Sequence, residues 1–181
     1  SAWNAGQPQL ESYDYTDPGF IAHMQDVFAN MGAAGIRGVK FDYPEFLWAD
    51  RGGLEDKYST AASAYRMTYK LANGGLGKDS YLSERNLILG YVIDLGLVDV
   101  QRIVGDTQEL TPEMVRRMAL RWYKNRVVIN LDNDSKHLAQ AKPKNRDGVR
   151  AMLTMSYVGT GRLMLGTCFD KMSEEDVYDL S

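Results

Sequence analysis

The sequence has little cysteine, little histidine and no long apolar run. Its single cysteine, Cys168, cannot form a disulfide within the chain and argues against a zinc cluster. No apolar stretch approaches the roughly 20 residues that a membrane-spanning helix needs. Lysine and arginine are scattered and the net charge is -3, so no surface for a nucleic acid or a membrane is expected. The first residues lack the basic region and apolar core of a signal peptide, and the localisation stays open.

The chain does contain enough apolar material for a core, and its helix and strand signals alternate. Of its 181 residues, 44% are hydrophobic and 25% are charged, which is typical of one globular domain. Asp17-Pro18, Thr111-Pro112-Glu113 and Ser173-Glu174-Glu175 are helix start signals. The apolar periodicity predicts helices at about 20–31, 54–72, 112–122, 146–157 and after Ser173, with glycines at 32, 35, 74 and 75 as helix stops. Strands are predicted at 36–41, 81–84, 98–104, 127–131 and 162–169, and 86–97 fits either a short helix or a loop.

Alternating strands and helices are typical of an α/β protein built from parallel β/α units. A closed eight-stranded barrel usually needs about 250 residues, so this chain is too short to form one. Five units at this spacing suit strands four to eight of a TIM-type (β/α)8 barrel, with residues 1–181 as its C-terminal part. An open doubly wound sheet is the alternative, although no G-x-G-x-x-G turn and no P-loop supports it.

Polar side chains stand at the predicted C-terminal ends of the strands, where β/α barrels build their active sites. They are Lys40, Asp42, Glu84, Arg102, Asp106, Asp132 and Asp134. Retaining glycoside hydrolysis needs a carboxylate nucleophile about 5 Å from a carboxyl general acid, and two strand ends of one barrel can supply that pair. A cation such as Lys40 beside Asp42 would keep a nucleophilic carboxylate ionised. The pattern therefore indicates sugar chemistry.

Two short motifs resemble those of clan D glycoside hydrolases, the α-galactosidases of families 27 and 36. Lys40-Phe41-Asp42 is similar to their Lys-x-Asp at the end of strand four, and Arg102 with Asp106 is similar to their Arg-x-x-x-Asp after strand six. Glu84 stands where strand five of the family contributes a sugar-binding residue. The resemblance covers roughly residues 14–180 and implies the C-terminal half of the catalytic barrel.

The resemblance implies a retaining α-glycosidase that acts on an oligosaccharide or glycoconjugate without a cofactor or a metal ion. Asp42 would be the nucleophile and Asp106 the acid/base. The predicted sugar contacts are Lys40, Glu84, Arg102 and Trp48. The run Asp132-Asn133-Asp134 departs from the Asn-Asp-Pro-Asp of many members, and Thr167 stands where they often have Asp. These departures suggest a divergent branch, for which α-N-acetylgalactosamine, β-L-arabinopyranose and isomaltose units remain alternatives to galactose.

Several other interpretations stay open at the level of sequence. Glu45 could replace Asp42 as the working carboxylate, and Asp132 with Asp134 could bind Ca²⁺ or Mg²⁺. The chain could instead be a carbohydrate-binding or structural half-barrel without catalysis, or a phosphate-binding α/β enzyme. A partial barrel leaves exposed edge strands, so the remainder of the barrel or a second copy is expected to cover them.

Overall fold

This computed structural model describes residues 13–44, 53–85, 92–103, 110–136 and 146–181. The chain divides into two compact units, the first comprising Ser1–Arg85 and Tyr91–Asp99 and the second Asn86–Gly90 and Val100–Ser181. Each unit contains parallel strands with helices between them, which confirms the α/β class. Within the described ranges, no helix combines the length and the apolar character needed to cross a membrane.

The first unit has the order α1, β1, α2, β2. Its elements are α1 Pro18–Ala33, β1 Gly38–Phe41, α2 Ala61–Leu76 and β2 Tyr81–Glu84. Helix α1 begins where the sequence predicts, because the Asp17 side chain accepts the Phe20 N–H at 2.6 Å and proline follows as the first helical residue. Helix α2 begins later than the predicted 54, because Thr60 and Ser63 form a reciprocal capping box there.

The glycine-rich end of α2 corrects one prediction. The helix runs through Gly74 and Gly75 and ends only before Gly77, whose φ is +93°. Gly75 faces α1 so closely that an added Cβ would lie 2.5 Å from the Phe28 backbone, and a Cβ on Gly32 of α1 would collide with the Gly75 carbonyl. These two glycines therefore permit a close crossing of α1 and α2, while Gly77 is the helix stop.

Strands β1 and β2 pair in parallel, with Phe41 opposite Glu84. Alternate residues of a strand point to opposite faces of the sheet. Phe41 lies 5.0 Å from the Tyr69 ring and 6.2 Å from the Phe28 ring, measured between centroids, so this face packs on the helices. The core of the first unit lies between these strands and α1 and α2, and it includes Phe28, Ala64, Tyr65, Tyr69, Leu71, Ala72, Leu76 and Leu82.

The second unit contains two parallel strand pairs, β3 with β4 and β5 with β6. Its buried core includes Met114, Met118, Leu131, Val149, Met152 and Leu153. In chain order its elements are β3 Val100–Arg102, α3 Pro112–Arg121, β4 Asn130–Asp132, β5 Ser135–Lys136, α4 Arg146–Thr160, β6 Met164–Leu165 and α5 Glu174–Leu180.

In the second unit, the helix bounds agree with the prediction from sequence more closely than the strand bounds do. Thr111 caps α3 as predicted, since its side chain accepts the Met114 N–H at 3.1 Å. The strand predicted at 127–131 is displaced to β4, because Val127 and Val128 lie in an exposed turn that follows a 3₁₀ turn at Trp122–Lys124. The strand predicted at 162–169 is reduced to the two residues of β6.

Candidate functional site

The C-terminal ends of β1 and β2 lie side by side in the first unit. The Arg85 N–H donates to the Phe41 carbonyl at 2.9 Å, which continues the parallel ladder one residue beyond β2. Because side chains alternate along a strand, Phe41 and Glu84 share the face that packs on the helices. Lys40, Asp42 and Arg85 alternate with them and belong to the opposite face. This strand end is the described part of the candidate site.

Asp42 follows β1 directly and is the most exposed carboxylate of this group. Its side chain is 54% exposed, whereas that of its ion-pair partner Arg85 is 7% exposed. The Arg85 guanidinium donates from Nη1 to Asp42 Oδ1 at 2.8 Å, and the Tyr43 N–H donates to the same oxygen at 3.1 Å. The other oxygen, Oδ2, accepts no hydrogen bond from any residue in the described ranges. Asp42 is thus a half-exposed carboxylate with one anchored oxygen and one oxygen that has no hydrogen-bond donor in the described ranges.

Tyr43 contacts the guanidinium of Arg85 in addition to Asp42. Its φ is +53°, in the left-handed region that few non-glycine residues adopt. Its ring stacks on Arg85, with the guanidinium carbon 4.1 Å from the ring centroid. A stacked cation over a tyrosine ring is an attractive pair, so Tyr43 helps to fix the position of the guanidinium. Backbone strain of this kind is common beside functional groups.

Lys40 lies two residues before Asp42 on the same face of β1, opposite Ser83 of β2. Its side chain is exposed. Among the described cations, Arg85 is the one that makes the ion pair with Asp42. The predicted contact between Lys40 and a sugar stays a prediction.

Glu84, the third predicted site residue of the first unit, lies on the helix side of β2. Its carboxylate has no solvent exposure and accepts the Tyr69 hydroxyl at 2.7 Å, while the Tyr65 hydroxyl lies 3.2 Å from that of Tyr69. The register with Phe41 places it there, because the two residues share the face that meets α2. In this position Glu84 has no surface with which to reach a sugar, in contrast to the sequence-based prediction.

The second unit holds the other polar strand ends. Arg102 ends β3 and is 2% exposed, and its guanidinium makes an ion pair with Asp134 at 2.7 Å. Asp134 has a φ of +70°, and its N–H donates to Asp132 Oδ1 at 2.7 Å, which closes a tight turn after β4. Asn133 between them is 1% exposed, and its side-chain amide makes no hydrogen bond with the described residues. Arg102 is therefore held below the surface by a carboxylate from the neighbouring strand end.

Some predicted residues lie outside the described ranges. These are Asp106, Trp48 and the alternative carboxylate Glu45. In the part of the chain that the structure describes, no three His, Cys, Asp or Glu side chains converge as metal ligands. The Ca²⁺ or Mg²⁺ alternative at Asp132 and Asp134 gains no support from that part.

Sequence analysis missed Arg85 and Tyr43, which make the contacts to Asp42. The alternation of side chains between the two faces of a strand could have indicated Arg85. If Lys40 and Asp42 point away from the helices, the matching positions on an in-register parallel neighbour are Ser83 and Arg85, and not Glu84. A register between strands separated by a helix cannot be read from either strand alone, so the pairing of Arg85 with Asp42 needed the structure.

Comparison with solved structures gives a relationship at the level of the fold. The chain is similar to a solved structure of an alpha-galactosidase from Thermus thermophilus in complex with stachyose, with a TM-score of 0.65 and 15% sequence identity. The match covers 92% of this chain, which spans 38% of the length of that structure. No family model and no curated protein matches the sequence. The chain therefore has a distant galactosidase-like fold, and the expected partial (β/α)8 architecture is confirmed.

Proposed function

We propose that the chain is the C-terminal part of the catalytic barrel of a retaining glycoside hydrolase that removes terminal α-galactosyl or related α-glycosyl groups. The observation that carries the proposal is Asp42, an exposed carboxylate at a parallel strand end whose hydrogen-bond donors in the described ranges both bind one oxygen, Oδ1. That is the form a carboxylate nucleophile needs. The fold-level likeness to an alpha-galactosidase supports the same class.

In the proposed reaction, Asp42 attacks the anomeric carbon and forms a covalent glycosyl-enzyme. The bond from that carbon to the glycosidic oxygen breaks, and the oxygen leaves with the electron pair and a proton from Asp106. Asp106, now a carboxylate, takes a proton from water as the water attacks the anomeric carbon. Asp42 then leaves as a carboxylate, and the sugar is released with its original anomeric configuration.

The sugar contacts in this proposal come from Lys40, Arg102 and Trp48. Lys40 supports the assignment because it is exposed on the same face of β1 as Asp42. Arg102 and Trp48 keep the sugar contacts that were predicted from the sequence. Glu84 is left out of the sugar contacts because its carboxylate is fully buried against Tyr69. Its proposed role is to hold the end of β2 from the helix side.

The same proposal requires that other strands pair with the exposed edges of the partial barrel. A sheet edge with unpaired backbone groups tends to recruit another strand. We expect the remainder of the barrel, or a second copy of the chain, to supply it. Size-exclusion chromatography with light scattering on the 181-residue chain distinguishes these cases, since a stable monomer would contradict the need for a second copy.

Trapping the glycosyl-enzyme tests the nucleophile. The complete encoded protein and the 181-residue chain are incubated with 5-fluoro-α-D-galactosyl fluoride and analysed by intact mass and peptide mapping. The expected result is a single added fluorogalactosyl group on Asp42, absent from Asp42→Asn. The matched control is Asp79→Asn, because Asp79 is an exposed aspartate in the turn before β2, at the opposite end of that strand. This variant should label like the parent protein.

Asp106 is tested with a substrate that needs no proton on its leaving group. In Asp106→Ala, hydrolysis of an unactivated α-galactoside such as stachyose should fall far more than that of 4-nitrophenyl α-galactoside. Added azide should restore turnover and yield the α-galactosyl azide, because it replaces the activated water without needing a base. Equal loss on both substrates, or no azide product, would remove Asp106 as the acid/base.

The absence of labelling would contradict the proposal in two steps. If the complete protein hydrolyses no α-galactoside and no label forms on Asp42, the α-galactosidase assignment is wrong. The related trap sugars, α-N-acetylgalactosaminyl and α-glucosyl fluorides, then decide whether another α-glycosyl group is the substrate. No labelling with any of them would contradict catalysis by Asp42 altogether.

A further inference from the structure

We infer that Arg85 is a positioning residue that holds Oδ1 of Asp42 and thereby leaves Oδ2 as the oxygen that attacks the sugar. The inference rests on the proposed function, since it concerns the same nucleophile. It adds a residue that neither motif contains, because Arg85 directly follows β2 whereas Asp42 directly follows β1. It also states which of the two carboxylate oxygens forms the covalent bond.

The first step of the argument is the unequal environment of the two oxygens. Both donors near Asp42, the Arg85 guanidinium at 2.8 Å and the Tyr43 N–H at 3.1 Å, converge on Oδ1. Within the described ranges, Oδ2 accepts no hydrogen bond. The lone pairs of Oδ1 are occupied by donors, so Oδ2 is the oxygen with lone pairs available for attack.

The second step is the rigidity of the donor. The Arg85 side chain is 7% exposed, and its guanidinium carbon lies 4.1 Å from the centroid of the Tyr43 ring. The backbone N–H of Arg85 donates a hydrogen bond to the Phe41 carbonyl at 2.9 Å. Its backbone is thus tied to β1, and its charged end lies between a carboxylate and an aromatic ring. Hydrogen bonds between ionised groups are roughly twice as strong as neutral ones, so this donor fixes the torsion of the Asp42 carboxylate.

The third step is what a fixed carboxylate does for the reaction. In-line attack needs the nucleophilic oxygen within about 3–3.5 Å of the anomeric carbon in the correct direction. In glycosylation, Oδ2 forms the new bond while the glycosidic oxygen departs with the electron pair and the proton of the general acid. In deglycosylation, water attacks the same carbon as it gives a proton to Asp106, and Oδ2 departs with the bonding pair. The Arg85 cation favours this second departure because it stabilises the carboxylate that re-forms.

The test compares variants of the complete protein in the rate of labelling by 5-fluoro-α-D-galactosyl fluoride. Arg85→Ala should label about 100-fold more slowly, which is the usual penalty for a nucleophile misplaced by about an ångström. Added guanidinium chloride at a non-denaturing concentration should fill the vacated space and restore the rate about tenfold, through the charge-assisted contact to Oδ1. Urea, which has a similar shape and no charge, should not.

The control variant is Arg37→Ala. Arg37 also belongs to the first unit, but it precedes β1 and donates to the Gly32 carbonyl at 2.6 Å. Its labelling rate should match that of the parent protein and should not respond to guanidinium. If Arg85→Ala does not fold, as judged by circular dichroism, Arg85→Gln becomes the deciding variant. It keeps much of the apolar stem and removes the charge, and it should label at a similarly reduced rate.

The outcomes separate this inference from the proposed function. If the parent protein is labelled on Asp42 and the Arg85 variants label at the same rate, the inference is wrong and the proposed nucleophile stands. If the Ala variant is folded and slow but does not respond to guanidinium, Arg85 is only structural, and the inference is again overturned. If the parent protein itself is not labelled, the nucleophile assignment fails and the role of Arg85 fails with it.

Discussion

The Tyr69 hydroxyl donates a hydrogen bond to the Glu84 carboxylate at 2.7 Å, and neither side chain has any solvent-exposed surface. A carboxylate removed from water is costly unless donors replace its hydration. The pair joins the middle of α2 to the last residue of β2, directly before Arg85. The strand end that holds the Asp42 contact is therefore tied from the helix side by a buried polar interaction.

Removing that hydroxyl should destabilise the first unit. We expect Tyr69→Phe to lower the free energy of unfolding by about 2 kcal/mol, because a buried acceptor loses its donor while the ring still fills its space. Tyr65→Phe is the matched control, since the Tyr65 hydroxyl lies 3.2 Å from that of Tyr69 and its loss leaves the Tyr69 hydroxyl in place. Urea unfolding followed by circular dichroism measures both. Equal losses would mean that the carboxylate does not depend on Tyr69.

The crossing of α1 and α2 depends on one of two adjacent glycines. Gly75→Ala should destabilise the protein by about 2 kcal/mol or more, because the added Cβ would lie 2.5 Å from the Phe28 backbone and must push the helices apart. At Gly74 a Cβ meets nothing within 4 Å. Gly74→Ala should therefore stabilise the protein by about 0.5–1 kcal/mol, through better helix propensity and a less flexible unfolded chain.

An alanine substitution at a third glycine, Gly159, should have an effect on stability between those at Gly75 and Gly74. A Cβ on Gly159 of α4 would meet the terminal methyl group of Met118, which can rotate away, whereas Phe28 presents backbone to Gly75. Thermal unfolding should thus rank Gly75→Ala well below Gly159→Ala in stability, with Gly74→Ala above the parent protein. A neutral Gly75→Ala would contradict the close crossing.

Acid should weaken the contact between α4 and α5. The Arg146 guanidinium donates to Asp176 at 2.6 Å and holds the pKa of that carboxyl below its ordinary value, and the Ser173 N–H adds to the effect. A lowered folded-state pKa stabilises the protein above the unfolded-state value of about 3.9, and this stability is lost as the pH falls through the folded-state pKa. Asp176→Asn should therefore lower the melting temperature at pH 7 and progressively less below about pH 4.

Melting temperatures measured from pH 7 to pH 2 on both proteins test this dependence. Asp147 provides the control on the same helix, because its side chain is 93% exposed and its oxygen lies 3.9 Å from Arg150. Asp147→Asn should change the melting temperature little at any pH. A constant difference between the parent protein and Asp176→Asn across the whole range would show that the ionised form of Asp176 adds no stability.

The ion pair of Arg102 with Asp134 should matter for stability independently of any activity. Asparagine tolerates the left-handed φ of +70° at position 134, so Asp134→Asn isolates the loss of the charge. Because the side chain of Arg102 is only 3% exposed, we expect Asp134→Asn to lower the free energy of unfolding by about 3 kcal/mol. A double-mutant cycle with Arg102→Met measures the coupling, and the double variant should be no less stable than Asp134→Asn. Additive losses would mean that the pair is not coupled.

Local signals in the sequence were enough to locate most helices and the caps that begin them. Asp17, Thr111 and Ser173 accept N–H groups three residues later, so each cap involves only neighbours in the chain. The strand at 81–84 was predicted with its exact bounds as β2, because its apolar pattern and flanking turn residues are local as well. The strand predicted at 127–131 failed for the opposite reason, since its apolar residues Val127 and Val128 end up in an exposed turn.

For the candidate site, the sequence located Lys40 and Asp42 at a strand end but did not predict the residues that contact Asp42. Lys40 and Asp42 were predicted at the end of a strand, and the structure places them on the face of β1 away from the helices. Arg85 and Tyr43 were not predicted, and Glu84 was expected at the site but lies on the helix side. Asp106 and Trp48 lie outside the described ranges, so their roles remain predictions.

The sequence by itself determined the alternation of helices and strands, the capped helix starts and the presence of polar residues after the strands, because each depends on residues a few positions apart. Tertiary structure decided which of those polar residues meet. Arg85 and Asp42 are 43 positions apart, and Tyr69 and Glu84 are 15 apart. Such contacts depend on the register between parallel strands and on how closely two helices cross. A one-residue change of register exchanges the faces of a strand, so neighbouring residues such as Glu84 and Arg85 acquire opposite surroundings.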